Sequence, residues 1–167
     1  MRQLIPFLAA LAVMGCAAKT PSPVQSFRKA GAPMWSNAQF DLSRLPGRWQ
    51  QAAGFAPVGD EPCRPGGAEI TGPSSAPTLA ARLCLGGAET RLAGPMQPIG
   101  PGRFAVAGQE WWVIWVDTDY RTLAIATPSG AYGFILNRGG PLPPDRLRAA
   151  REIFDFNGYD VSRLVAY

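Results

Sequence analysis

The sequence offers few groups that could make or break bonds. Its 167 residues include no histidine, so the commonest general base and metal ligand is missing. Every serine–imidazole or cysteine–imidazole nucleophile is excluded with it. Asp117 and Asp119 could form an acid–base pair. Carboxylates at alternate positions around Thr118 and before Tyr120 fit a turn better. Three cysteines, Cys16, Cys63 and Cys84, cannot close a four-ligand zinc site by themselves. Arg82, Arg91 and Glu69 could each offer a charge to the polar end of a bound molecule, although an ordinary outward-facing side chain is the favoured account of each. No enzyme, catalytic residue, cofactor or metal is expected.

The cationic side chains point to no polyanion. The net charge is +4, but the arginines are scattered singly, and only Arg28 with Lys29 and the set Arg146, Arg148 and Arg151 come close together. A nucleic-acid binder concentrates such charge on one face. The stretch "WWVIWVDTDYRTLAIA" from 111 to 126 looks at first like a row for stacking bases. Alternation in a strand separates Trp112 from Trp111 and Trp115, so no continuous row forms.

The N-terminus reads as an export signal, so the chain is expected to leave the cytoplasm. "MRQLIPFLAALAVMGCAAKT" has one cation, an apolar run too short to span a bilayer, and small residues around Cys16. "VMGC" resembles a bacterial lipobox, which implies a signal peptide over 1–15 and a lipidated Cys16. Ala17 after it implies the outer membrane, with the domain facing the periplasm. Residues 16–39 have no sustained period and are expected to be a flexible tether, spanning about 25–30 Å. In an oxidising compartment Cys63 and Cys84 are expected to pair, adding about 3 kcal/mol. Two free buried thiols are the other arrangement.

Glycine and proline together make up about a fifth of the chain (19 and 17), favouring many short elements joined by turns. Strands are expected at 47–56, 64–71, 77–85, 88–94, 102–107, 110–117, 121–127 and 131–138. With no helices between them they imply antiparallel up-and-down pairing, in a sheet that closes or stacks to remove its edges. "PLPPDRLRAAREIFDFNGYD" then changes period. Leu147, Ala150, Ile153 and Phe154 make an apolar helical face, started by prolines and ended at Asn157-Gly158. "DVSRLVAY" is a short final strand.

From Phe40 to the C-terminus the chain resembles the lipocalins. "FDLSRLPGRWQQAAGF" is similar to the family's first motif, through Gly47 and Trp49. "VDTDYRTLAI" is similar to the second, through Thr118, Asp119 and Tyr120, and "YGFILNR" to the third, through Arg138. The resemblance implies a mainly β fold over 40–167: an eight-stranded antiparallel up-and-down barrel with one C-terminal helix packed outside and a short final strand. It implies Arg138 stacked over Trp49 at the closed end, and Asp119 and Tyr120 holding the turn before 121.

The resemblance further implies a lipid-anchored protein that binds and carries or stores a small hydrophobic ligand of the fatty acid or lysophospholipid class, palmitate for example. The alternative is a structural or interaction lipoprotein whose barrel is filled. Period 2 puts Trp49, Gln51, Ala53 and Phe55 on one face, and Tyr132, Phe134, Leu136 and Arg138 on another. It groups Trp111, Val113 and Trp115 against Trp112, Ile114 and Val116, with both sets apolar and either able to line the lumen. Candidate ligand contacts are therefore Gln51, Phe55, Arg82, Arg91, Trp111, Val113, Trp115, Tyr132 and Phe134. A homodimer is compatible with the sequence, which does not decide it.

Overall fold

The structure, a computed structural model, describes residues 25–59 and 63–167. The proposed signal peptide and Cys16 lie outside the described residues. Nine strands follow in order: β1 (Gly47–Phe55), β2 (Gly67–Thr71), β3 (Thr78–Leu85), β4 (Ala88–Gly100), β5 (Arg103–Val106), β6 (Gln109–Val116), β7 (Thr122–Ala126), β8 (Gly133–Asn137) and β9 (Leu164–Ala166). One helix, α1 (Pro144–Phe156), precedes the last of them.

Each strand from β1 to β8 pairs antiparallel with the next, and β8 returns to β1, so the sheet closes as an eight-stranded barrel. Closure satisfies the edges that an open sheet would leave bare. Strand β9 pairs with Ala53, Gly54 and Phe55, continuing along β1 beyond the pairing with β2. The turn residues set these limits closely, with one exception. Residues 95–100, expected to be loop because of two prolines, extend β4 and pair with β5.

Two apolar clusters divide the core. One fills the barrel, with Trp49, Leu83, Phe104, Trp111, Leu123, Phe134 and Leu136 all fully buried. The other lies outside, between the sheet and α1, around Phe55, Ile114, Ala150, Phe154 and Tyr159. The helix starts without a side-chain cap, on Pro143 and Pro144, with Asp145 in its first turn. It buries Ala150 and Phe154, as its period requires.

Bulges decide which side chains enter the barrel. The register slips between Gln51 and Ala53 in β1, and between Val113 and Trp115 in β6. One extra residue reverses the alternation beyond it. Ala53 and Phe55 therefore leave the face of Trp49, and Trp115 leaves the face of Trp111; all three join the outer cluster beneath α1.

The segment 25–39 is packed on the barrel, where a flexible tether was expected. Phe27 is buried, with its ring 5.7 Å from that of Phe55, and Arg28 bridges to Tyr159. Further along, the Asn37 N–H donates to the Val113 carbonyl.

Candidate functional site

The closed end of the barrel is fastened by its charged groups. The Arg138 guanidinium lies 4.1 Å over the Trp49 ring and donates to the carbonyls of Tyr120, Pro46 and Arg44 at 2.8–3.1 Å. Desolvation is the first cause that lowers its pKa from the usual arginine range. Gly47 sits at φ +127°, and a Cβ there would meet the Arg138 guanidinium at 3.2 Å, so glycine is needed both for conformation and for space. Arg44 covers Tyr120, whose hydroxyl accepts from the Asp41 N–H.

The turn between β6 and β7 is held by Asp117, where Asp119 was expected. Asp117 Oδ1 accepts from the Arg121 and Thr122 N–H groups at 2.7 and 2.5 Å, and Oδ2 pairs with Arg146 of α1 at 3.3 Å. Asp119 only approaches Arg146, at 3.7 Å. Asp117 is placed for this because it precedes the turn and its carboxylate can reach back to the amides that follow. Both carboxylates are thus engaged structurally.

The open end is built differently. Trp111, Val113, Tyr132 and Phe134 all face the interior, with the Trp111 and Phe134 rings edge to face at 5.1 Å. The Trp111 indole N–H is buried without a hydrogen-bond partner, and so is Gln109 Oε1, two residues earlier on the same face of β6. An unpartnered buried polar atom costs about 1–3 kcal/mol. A cleft of about 500 Å³ lies between the β5–β6 turn and the β7–β8 loop, lined by Gln109, Thr127, Pro128, Ala131 and Tyr132 among others.

The mouth also opens sideways. Strand β5 pairs only with the stretch 96–100 of β4, so 88–95 have a ladder partner on the β3 side alone among the described pairings. Thr90 and Leu92 face inward there but stay partly exposed, as does Ala81 opposite Leu92. Gln109, Thr90 and Leu92 were not singled out from the sequence. The spacing from Gln109 to Trp111 carries the signal, since two residues along a strand share a face.

Several expected contacts fall elsewhere. Phe55 and Trp115 support the helix, for the register reason above. Arg82 and Arg91 point outward and share Glu89, at 3.1 and 3.0 Å; their cross-strand register places both on the outer face. Gln51 faces inward but is spent on structure. Its amide donates to the Cys84 carbonyl and accepts from the Cys84 N–H, both at 2.7 Å. It stands in for a strand neighbour where the β2–β3 pairing stops at Arg82. Cys63 and Cys84 form a disulfide, with Cα atoms 5.5 Å apart.

Among the described residues no cluster of three acidic or sulfur ligands could hold a metal ion, and no helix is long and apolar enough to cross a membrane.

Comparison with known proteins agrees with this architecture. A family model described as a lipocalin-like domain matches residues 99–167. No curated protein matches. Insecticyanin from the tobacco hornworm Manduca sexta superposes with a TM-score of 0.58 at 15% identity, covering 80% of this chain and 83% of its own. Lobster apocrustacyanin A1 gives 0.52 at 15%, covering 81% and 88%. Apocrustacyanin C1 gives 0.55 at 16%, with the same coverage. At these identities the structures share the fold. The chain has the barrel fold of these structures, and its residues 99–167 are similar to a lipocalin-like domain.

Proposed function

We propose that this protein binds a small hydrophobic molecule with a polar end at the mouth of its barrel, and carries or stores it. The observation that carries this reading is the pair of unpartnered polar atoms, Trp111 Nε1 and Gln109 Oε1, two residues apart on one face of β6, of which Gln109 also lines the cleft. A hydroxyl or protonated carboxyl satisfies both, accepting from the indole and donating to the amide oxygen. The apolar part of the ligand packs on Leu92, Ala81 and Tyr132, gaining about 25 cal/mol per Å² buried. Fatty acids and lysophospholipids have this chemistry. Ordered water at the same atoms would occupy the pair without any ligand.

The finer proposal is a lipoprotein. Cys16 carries the lipid, and the domain faces the periplasm from the outer membrane. Support comes from the lipobox-like "VMGC" after an export-type apolar run and from the disulfide, which suits an oxidising compartment. Radiolabelled palmitate fed to the expressing cells should enter the protein and be lost in Cys16→Ser.

A second reading has its own observation. Phe104, Trp111 and Phe134 leave no more than 1% of their surface accessible, so the barrel interior around them is a packed core, as in a structural or interaction protein without ligand. Native mass spectrometry of the exported protein, followed by titration with a fluorescent fatty acid, separates the two. Retained acyl lipid or saturable uptake supports the carrier; neither one favours the filled barrel.

A further inference from the structure

We propose that the barrel docks mouth-first on the membrane surface, so that the open end faces the bilayer from which a lipid ligand comes. This deepens the carrier reading and rests on the anchor at Cys16. The first observation is where the chain joins the domain. The Phe27 N–H donates to the Gly130 carbonyl at 2.8 Å, and Ser26 Oγ donates to the Ser129 carbonyl at 3.2 Å. Both partners belong to the β7–β8 loop, on the rim of the open end. Phe27 is buried, and the next residue, Arg28, bridges to Tyr159 and donates to the Asn157 carbonyl at 2.7 Å. The chain is therefore pinned at the rim.

Length then matters. Ten residues lead from Cys16 to Ser26, and even fully extended they reach about 35 Å. The eight residues of β6, running from the mouth to the closed end, give the barrel wall a length of about 26 Å. To lay the closed end on the bilayer, the leash would have to run the whole wall and use most of its contour. To lay the mouth there it needs almost none.

The chemistry of the two ends is the second observation. The tips at 86–88, 107–109 and 128–131 contain no charged residue, while the loop after β1 carries Asp60, Glu61 and Arg64 together with Val58, which is 85% exposed. The closed end presents Arg44, Asp119 and Arg121 as exposed charges. Neutral tips enter the headgroup region without the desolvation cost that ionised groups carry.

The test uses the full chain, exported by a bacterial host and reconstituted into phosphatidylethanolamine–phosphatidylglycerol vesicles containing a doxyl-labelled phospholipid. With Cys16 acylated and Cys63–Cys84 bridged, a single thiol is introduced for a fluorophore, by Ala107→Cys at the mouth or by Ser75→Cys in the β2–β3 loop of the closed end. We expect the lipid to quench the label at 107 several-fold more than the label at 75. Equal quenching, or stronger quenching at 75, overturns the orientation and leaves ligand binding standing. Mass spectrometry of the N-terminal peptide reads the anchor separately. An unacylated Cys16 overturns the anchor and this docking together.

Discussion

Trp49 and Trp111 both lie fully buried in one barrel, yet their indole N–H groups are treated in opposite ways. Trp49 donates to the Leu45 carbonyl at 3.0 Å and lies beneath Arg138, which is itself bonded to three carbonyls. Trp111 lies higher in the barrel, and its N–H meets no acceptor. The closed end is thus a finished structure, in which each polar group near the ring is matched within the chain. The open end keeps an unmet donor and an unmet acceptor beside a cleft. A fold can hold such atoms only if packing elsewhere offsets their cost.

The contrast can be broken most strongly at the floor. Arg138→Ala removes the cation over Trp49 and strands three carbonyls; we expect a loss of about 3 kcal/mol in chemical denaturation, with Arg138→Lys recovering less than half. Trp49→Phe should cost about 2–3 kcal/mol, because a satisfied donor and a stacked ring are lost together. Trp111→Phe should cost about 1 kcal/mol or less, since removing an orphaned donor offsets the lost volume. Equal losses at the two tryptophans would erase the distinction between the ends.

The rim gives smaller effects. Ala107 adopts φ +47° and Gly108 φ +79° in the two-residue turn between β5 and β6, a geometry that favours Asn-Gly. Ala107→Asn should therefore stabilise the protein by about 0.5–1 kcal/mol in thermal unfolding.

Tyr159 closes the list. Burial pushes its hydroxyl pKa up, against the opposing pull of its hydrogen bonds with Thr127. A raised value means that the folded state holds the proton more tightly. Its contribution is fully present below pH about 10, the ordinary tyrosine value, and declines as pH rises beyond it. Denaturation midpoints measured upward from pH 9 should fall, and Tyr159→Phe should flatten that slope.

What was legible in the sequence followed from local chemistry. Gly/Pro-rich turns marked the strand limits within a few residues. Gly47, Trp49 and Arg138 carried the floor, because their types and order are specific. The bulges were not legible. Both faces of "WWVIWV" are apolar, so nothing in the pattern signals the extra residue that turns Trp115 outward. The same holds for "WQQAAGF", where small residues at 52–54 accept either direction and Phe55 ends under the helix. The strand beyond Gly94 was hidden by Pro95 and Pro98, which usually end one. The packing of 25–39 depends on partners more than a hundred residues away, such as Gly130 and Tyr159, which no local period reports.

Trp111 is the residue whose indole N–H a bound ligand must meet. In a ¹H–¹⁵N spectrum of the protein, its indole resonance can be followed against that of Trp49 while a fatty acid or lysophospholipid is added. We predict a saturable shift of the Trp111 indole signal, about 3- to 10-fold weaker apparent affinity in Gln109→Ala, and no movement at Trp49. A titration in which the Trp111 indole stays fixed to millimolar ligand would contradict the account and leave a filled barrel.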